Sequence, residues 1–249
     1  MRTDAGLFSA QGPRKANQDA AAFDARLGCA VLADGMGGPP GGDVASRLAV
    51  AAAEEHLRAA LARCPGADLA PSFFAQLFDD AHRRILREAW ARRELLGMGT
   101  TLVVLVLAGG RYRVAHVGDS RAYLVRGGRT SPLTHDHSWV QERVDAGLLT
   151  PAEAARHPNR SVLTRAVGAE PSAAPDLVEG EALAGDVFVL TSDGVHGVLS
   201  DERLGELAVA GTAEAAARAL VEEALRAGGT DNATAAVVRV AGARAERET

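Results

Sequence analysis

Four aspartates of this chain lie directly beside a glycine or in a tight turn after an apolar, strand-like segment: Asp34, Asp119, Asp193 and Asp231. An aspartate at the end of a strand is held by a rigid scaffold and still reaches the edge of the sheet. A neighbouring glycine lets the backbone turn sharply and exposes a carbonyl oxygen as a further ligand. Several carboxylates that converge with no His or Cys among them form a hard oxygen site, which suits Mg²⁺ or Mn²⁺.

Each of these aspartates, taken alone, also has a purely structural explanation. Asp-Gly and Asp-Asn pairs are common in turns, where the aspartate stabilises the local backbone. The prediction of a metal site therefore depends on the four aspartates as a set and on the setting that they share.

The elements that must position these aspartates begin with two helices. Asp43 is expected to cap the first, which the Pro65-Gly66 pair ends, and the second begins at residue 71 or 72 and is interrupted at Gly97. Apolar residues at helical spacing support both predictions.

From Thr100 the pattern changes to short aliphatic and β-branched runs separated by glycines. The runs Thr100–Leu107, Tyr112–Val117 and Arg121–Val125 predict an antiparallel meander. Further strands are expected at Cys29–Ala33, Val187–Thr191 and Thr234–Val240, with helices near Ser138–Ala146, Asp201–Val209 and Ala213–Ala227. Because strands come in runs and helices in pairs, the sequence favours an α+β fold over a doubly wound parallel sheet.

Composition excludes several classes of protein. The chain has 249 residues, 47% of them hydrophobic and 24% charged, which is typical of a globular protein with a substantial core. A net charge of −5 argues against nucleic acid as the main partner. The two cysteines, Cys29 and Cys64, are too few for a disulfide framework, and no apolar run is long enough for a signal peptide or membrane span. We therefore expect a cytoplasmic protein that does not bind membranes.

Seven motifs occur in an order that resembles the metal-dependent serine/threonine protein phosphatases of the type 2C family, in their compact bacterial form. They are RKANQD (14–19), ADGMGG (33–38), GTT (99–101), VGDSR (117–121), LTRAVG (163–168), TSDGV (191–195) and GTDNAT (229–234). The resemblance implies a four-layer α-β-β-α sandwich, in which two antiparallel sheets are flanked by helix pairs. It also implies a single catalytic domain over residues 1–249, with a flap over the site at about 136–165 that influences substrate choice.

The same resemblance implies a set of metal ligands. Asp34 would bridge two Mn²⁺ or Mg²⁺ ions, the Gly35 carbonyl would bind one of them, and Asp193 and Asp231 would complete the other. Asp119 matches the family position of a third, weaker metal site, which Asp193 would share.

Two further residues are candidates for binding the phosphate. Arg14 matches the phosphate-binding arginine of the family, and its planar guanidinium can hold two phosphate oxygens; the alternative is a surface arginine, which its spacing to Asn17 and Asp19 disfavours. Asn232 follows a predicted ligand, so it is expected either to touch the phosphate or a metal-bound water or to stabilise its own turn.

Two positions depart from the pattern of many relatives. Gln18 replaces a glutamate, which predicts a lower metal affinity, and Met36 replaces the histidine proposed as a general acid in eukaryotic relatives. Five histidines are alternative proton donors that the sequence does not favour: His116, His135, His137, His157 and His196. His116 is expected to be a packed or hydrogen-bonded residue of a strand, and His135 and His137 are expected to shape a turn and cap a helix. A metal-bound water is the simpler proton donor.

The expected reaction is hydrolysis of phosphoserine and phosphothreonine in proteins, by direct attack of a water or hydroxide that bridges the two metal ions. The residues expected to take part directly are Arg14, Asp34, Asp193 and Asp231. Cys29 and Cys64 do not belong to a phosphate loop of the cysteine-based phosphatases. One alternative is an inactive phosphatase-like module that only binds its partner; the presence of Asp34, Asp193 and Asp231 argues against it. The other alternative is a two-metal nuclease, and the acidic net charge argues against that. The expected partners are phosphorylated proteins, such as a serine/threonine kinase and its targets or an anti-sigma-factor antagonist, and a monomer is the default state.

Overall fold

The computed structural model of the chain describes residues 2–37, 41–63, 66–169 and 173–241, and these ranges contain eleven strands and seven α-helices. The strands are β1 (Thr3–Ala10), β2 (Asp19–Asp24), β3 (Cys29–Met36), β4 (Gly99–Thr100), β5 (Leu102–Ala108), β6 (Arg111–Val117), β7 (Arg121–Arg126), β8 (Arg129–Pro132), β9 (Asp176–Glu181), β10 (Val187–Thr191) and β11 (Ala233–Val240). The helices are α1 (Gly42–Arg63), α2 (Pro71–Ala91), α3 (Trp139–Asp145), α4 (Pro151–Ala154), α5 (Asp193–His196), α6 (Asp201–Val209) and α7 (Ala213–Arg226).

The strands form two antiparallel sheets. The first sheet has the order β1-β11-β10-β7-β8, and the second has the order β2-β3-β5-β6-β9, with β4 paired to β3. The first and last strands of the described chain are neighbours, since Thr3 lies opposite Val240 and Ala10 opposite Ala233.

Apolar side chains alternate along the central strands and divide the core into three layers. On β5, Val104 packs with the cluster beneath α1 and α2, whereas Val103 and Leu105 belong to the cluster between the sheets. On β11, Val237 packs beneath α6 and α7, and Val238 faces the other sheet. Because both faces of each central strand are buried, the sheets stack face to face with helices outside them. The expected four-layer α-β-β-α sandwich is confirmed.

The predicted meander is wrong in its last strand. β5 and β6 form the expected antiparallel hairpin, but β7 leaves that sheet and pairs with β10 and β8 in the other one. The crossover begins at Gly118, whose φ of +103° favours glycine. It places the following residue, Asp119, where the chain passes from one sheet to the other.

The helix predictions are largely confirmed, with one correction at the first cap. Asp43 lies inside the first turn of α1, where its carboxylate accepts hydrogen bonds from Arg47 and from the Gly41 backbone N–H. Pro65, which was expected to end this helix, lies outside the described residues. Pro71 occupies the first turn of α2, as predicted. Within the described residues, no helix is both long enough and apolar enough to cross a bilayer.

Residues 136–165, the flap segment, form an excursion with two short helices. Ser138 caps α3 by accepting a hydrogen bond from the Gln141 N–H, and a capping box of Thr150 and Glu153 begins α4. The two ends of the segment meet in an isolated bridge between Ser138 and Leu163. The predicted helix at Ser138–Ala146 is thus confirmed.

Candidate metal centre

The aspartates predicted as ligands meet where strands of both sheets begin or end. Asp34 lies near the end of β3, Asp119 follows β6, Asp193 follows β10 and Asp231 precedes β11. Burial and the negative charges of Asp19, Asp193, Asp119 and Asp231 raise the pKa of Asp34 well above its usual range. Carboxylates from four distant parts of the sequence therefore act on one central side chain.

The neighbours of Asp34 are perturbed in the same direction. Burial, followed by the charges of Asp193 and Asp136, raises the pKa of Asp119 to about 8. The pKa of Asp193 is also raised, by burial and then by Asp231, and a hydrogen bond to the Asp34 side chain partly opposes this. Desolvated carboxylates that cannot all ionise together create a strong demand for a positive charge.

Asp19 is a fifth member of this group that the sequence analysis did not assign as a site residue. It begins β2 and lies opposite Asp34 in the register with β3. Its Oδ2 accepts hydrogen bonds from Ser192 Oγ at 2.8 Å and Thr234 Oγ1 at 2.6 Å, while its buried Oδ1 has no hydrogen-bond partner among the residues that the structure describes. Burial, which outweighs these hydrogen bonds, raises the pKa of Asp19 to about 6. The available signal was its place at the end of the 14–19 motif.

The GTT motif fixes the backbone of Asp34. The Asp34 N–H donates to Thr101 Oγ1 at 2.8 Å, and the Asp34 carbonyl accepts from the Thr101 N–H at 2.9 Å and from Thr100 Oγ1 at 2.8 Å. The Thr101 hydroxyl is also 2.7 Å from Ser120 Oγ, next to Asp119. These buried hydroxyls explain why threonine and serine flank the acidic residues.

Gly35 is required by close backbone packing. A Cβ at this position would lie 2.0 Å from the Gly42 carbonyl oxygen and 2.7 Å from that of Gln18, and the Gly35 N–H donates to the Gln18 carbonyl at 3.1 Å. Any side chain here would push the start of α1 away from β3. The role of the Gly35 carbonyl as a ligand stays a prediction.

Arg14 lies at the open side of the acidic group. Its Nη2 donates to Asp231 Oδ2 and its Nε donates to the Thr230 carbonyl at 3.1 Å, while 55% of its side chain is exposed. A guanidinium fixed beside the carboxylates and open to solvent is suited to receive a bound oxyanion.

The side chain of Asn232 hydrogen-bonds to the backbone of the loop that contains Arg14. Its amide group donates to the carbonyls of Gln11 at 2.7 Å and Ala16 at 2.8 Å, and its Oδ1 accepts from the Gln18 N–H at 2.9 Å. Both amide hydrogens are therefore used in holding the loop that contains Arg14. These contacts support a role for Asn232 in stabilising backbone rather than in touching the phosphate. The backbone that it stabilises is the loop of residues 11–18 and not, as expected, its own turn.

The group offers only oxygen donors, and this chemistry fits hard divalent cations such as Mg²⁺ and Mn²⁺. Burial of several carboxylates together, which raises the pKa values of Asp34 and Asp119, and a buried Asp19 Oδ1 without a partner among the described residues both favour additional positive charge here. Gln18 contributes no charge, because its amide is neutral; its buried Nε2 has no partner within the described part of the chain.

A four-layer sandwich that gathers carboxylates at strand ends of both sheets, with oxygen donors only, defines a class of proteins suited to hard divalent cations. The family model described as protein phosphatase 2C matches residues 11–239, so the chain belongs to the protein phosphatase 2C family.

Known relatives agree with this assignment. The serine/threonine protein phosphatase PstP of Mycobacterium tuberculosis is 42% identical over 240 residues, which cover 96% of this chain and 44% of PstP, so the chain spans less than half the length of that relative. The protein phosphatase PhpP of Streptococcus pneumoniae is 34% identical over 84% of both chains. A crystal structure of the PstP catalytic domain in complex with two manganese ions superimposes with a TM-score of 0.85 at 36% identity, covering 96% of this chain and 99% of that one.

Proposed function

We propose that this protein is a metal-dependent phosphatase that hydrolyses phosphoserine and phosphothreonine in proteins. The observation that supports this most directly is the position of Asp34, whose pKa is raised by burial and then by four other aspartates, one of which, Asp231, pairs with Arg14. The family membership and the names of the relatives point to the same activity.

In this proposal the chain holds two ions of Mn²⁺ or Mg²⁺. Asp34 would contribute to holding both, the Gly35 carbonyl would hold one, and Asp193 and Asp231 would hold the other; Asp119 and Asp193 would hold a third, weaker one. The two manganese ions of the PstP structure support the number of ions and manganese as the metal. When bound, the ions ionise water near neutral pH and neutralise charge on the phosphate.

The protein's own groups bind and orient the substrate. Arg14 holds two oxygens of the phosphate through its planar guanidinium and offsets their charge. Asn232 keeps Arg14 in place by fixing residues 11–18. Asp19, anchored by Ser192 and Thr234, presents its unpartnered oxygen to the cleft, where it is available to orient water.

The leaving group receives its proton from solvent in the cleft. Met36 cannot transfer a proton. Burial lowers the pKa of His116 to about 4 and that of His196 to about 3, and it lowers the pKa of His137 as well. These histidines are therefore neutral at physiological pH and have no proton in reserve for general acid catalysis.

The proposed substrates are phosphorylated proteins, among them a serine/threonine kinase and its targets, and the proposed site of action is the cytoplasm. The whole chain acts as one catalytic domain and a monomer, and the flap segment over the cleft influences which substrates enter. The net charge of −5 supports protein rather than nucleic acid as the partner.

The test is hydrolysis of a phosphothreonine peptide, measured with Mn²⁺ and with EDTA, beside a single-stranded DNA substrate. We expect release of phosphate only from the peptide and only with Mn²⁺, and Asp34→Asn removes it. Asp79→Asn, at an exposed position on α2, is the matched control and retains activity. Cleavage of DNA, or binding of the peptide without release of phosphate, contradicts the proposal.

A further inference from the structure

His137 is a buried residue at the start of the flap segment that makes two hydrogen bonds to one residue of the crossover turn. Its backbone N–H donates to the Gly118 carbonyl at 3.0 Å, and its ring Nδ1 accepts from the Gly118 N–H at 3.1 Å. Gly118 directly precedes Asp119. The position of the Asp119 backbone is thus held from outside its own strand.

The same residue closes the base of the flap segment. The His137 carbonyl accepts from the Thr164 N–H at 2.9 Å, and next to it the Trp139 N–H donates to the Val162 carbonyl at 2.8 Å. His137 therefore contacts the Asp119 turn on one side and the C-terminal end of the flap segment on the other.

The far edge of the ring is fixed by charged groups. Nε2 lies 3.2 Å from Asp176 Oδ2 and 2.7 Å from Arg165 Nη1, and Arg165 Nη1 also donates to Asp176 Oδ1 at 2.7 Å. Since the Gly118 N–H requires a lone pair on Nδ1, the proton of neutral His137 is on Nε2, where Asp176 accepts it. In this tautomer Arg165 Nη1 does not hydrogen-bond to Nε2 and is held by Asp176 Oδ1 instead. Burial lowers the pKa of His137, which favours this neutral form.

A second metal site at this place is the obvious alternative, because ligand atoms of His116, His137 and Asp176 lie within 4.8 Å of one another. The two imidazole rings stack with centroids 4.7 Å apart and only 7° between their planes. Lone pairs of nearly parallel, stacked rings lie in separate planes and do not converge on one ion. The guanidinium of Arg165 already supplies the cation at His137 Nε2. The cluster is thus a hydrogen-bonded support.

We infer that His137 is a positioning residue that couples the flap segment to the Asp119 metal site, by holding the Gly118–Asp119 turn through its ring Nδ1. The inference rests on the proposed function, in which Asp119 contributes to the weakest metal site. Residues that orient a metal ligand from outside the coordination sphere typically change metal affinity by about 10–100-fold.

Two variants separate the two edges of the ring. In His137→Asn, the amide oxygen replaces Nδ1 as acceptor for Gly118, whereas His137→Gln places its amide near the former Nε2 and leaves the Gly118 N–H without an acceptor. His135→Asn is the matched control, since His135 is exposed and pairs with Asp145. Mn²⁺ binding is measured by calorimetry on the full chain, and the thermal midpoint is measured in EDTA.

We expect His137→Gln to lower the affinity of the weakest Mn²⁺ site by about 10–100-fold. His137→Asn and the control stay close to the wild type at that site, and the two His137 variants have similar midpoints in EDTA. Equal Mn²⁺ affinities for His137→Asn and His137→Gln, whether reduced or unchanged, overturn the inference.

A measurement on the wild-type protein keeps the inference testable if a variant does not fold. Nitrogen-15 shifts of the labelled ring at pH 7 should show a neutral His137 with its proton on Nε2, and a proton on Nδ1 overturns the inference. Failure of the proposed function has a different outcome, namely Mn²⁺ binding by the wild type that is absent or insensitive to Asp34→Asn.

Discussion

Asp19 and Asp34 lie directly opposite each other on the paired strands β2 and β3. Like charges at directly opposed positions destabilise an antiparallel pair. Burial raises the pKa of both carboxyl groups, and each also feels the charges of Asp193 and Asp231. The protein keeps this unfavourable pair within its group of buried aspartates, and a bound divalent cation would relieve the repulsion.

Manganese is therefore expected to stabilise the folded protein. A ligand at about 100 times its dissociation constant adds about 2.7 kcal/mol, which for a domain of this size raises the thermal midpoint by roughly 5–10 °C. Asp34→Asn should lose most of this increase, and Asp79→Asn should retain it. Calorimetric scans with Mn²⁺ and with EDTA measure the difference, and an undiminished Mn²⁺ effect in Asp34→Asn would contradict the ligand assignment.

In EDTA, we expect the stability to fall as the pH rises from about 6.5 to 8. Over this range the folded protein keeps a proton on Asp119, whose pKa is raised to about 8, whereas the unfolded chain has released it. The raised pKa of Asp34 also lowers the stability as the pH rises. His116 and His196, whose pKa values are lowered, act oppositely but only below about pH 6.5, where unfolded histidine becomes charged.

The decrease in the free energy of unfolding with pH has an upper limit of about 1.4 kcal/mol per pH unit for each proton released. Urea denaturation at several pH values measures it, and Asp119→Asn should reduce it. A stability that rises over this range in EDTA would show that the carboxyl groups are already ionised in the metal-free protein.

Asp193→Asn is expected to abolish turnover while the chain remains folded. Asparagine has nearly the same shape, and the charged form of Asp193 is disfavoured by burial and then by Asp231, so its neutralisation does not weaken the metal-free fold. Loss of a metal ion that supplies several kcal/mol predicts a decrease in kcat of at least about 10³-fold. Phosphate release and circular dichroism are measured together, and full activity of this variant would show that the ligand set is wrong.

Arg14→Ala is expected to weaken phosphate engagement without loss of folding. A hydrogen bond to a charged group contributes about 1.5–3 kcal/mol, so kcat/KM should fall by about 10–100-fold. Arg14→Lys should recover only part of the loss, because an ammonium cannot replace the two-pronged guanidinium. Equal rates for Arg14→Lys and the wild type would mean that only charge matters at this position.

Asn232→Ala tests whether this side chain stabilises the loop of residues 11–18 or contacts the phosphate. Removing it leaves the Gln11 and Ala16 carbonyls and the Gln18 N–H without their partner, at a cost of about 1–3 kcal/mol for each group that stays buried and unpaired. We expect a lower thermal midpoint in EDTA and without substrate. An unchanged midpoint combined with a raised KM would identify Asn232 as a phosphate contact instead.

The interior of the fold was predictable from the sequence and the edges of the sheets were not. All the predicted strands are found, but β1, β2, β8 and β9 were not predicted, and these four strands are the outer ones of the two sheets. Their residues are mostly half-buried or exposed, so neither an apolar run nor a clean alternation marks them. Strand β2, with three successive alanines, lacks even the usual β-branched residues.

The candidate site shows a similar division. Position at strand ends identified Asp34, Asp119, Asp193 and Asp231, because that signal is local. Asp19 begins an unpredicted edge strand, so nothing local distinguished it from an ordinary aspartate. The contacts of Asn232 reach residues more than 200 positions away in the chain, and no local pattern encodes them.

The position of β11 between β1 and β10 also affects biosynthesis. Strand β11 is synthesised after the other described strands. Its partner β1 is synthesised more than 220 residues earlier and cannot pair with it until then. Such long-range pairing forms late, because closing the loop costs entropy before any contact repays it. The acidic group, which includes Asp231 from the turn before β11, is therefore complete only after translation has passed that turn.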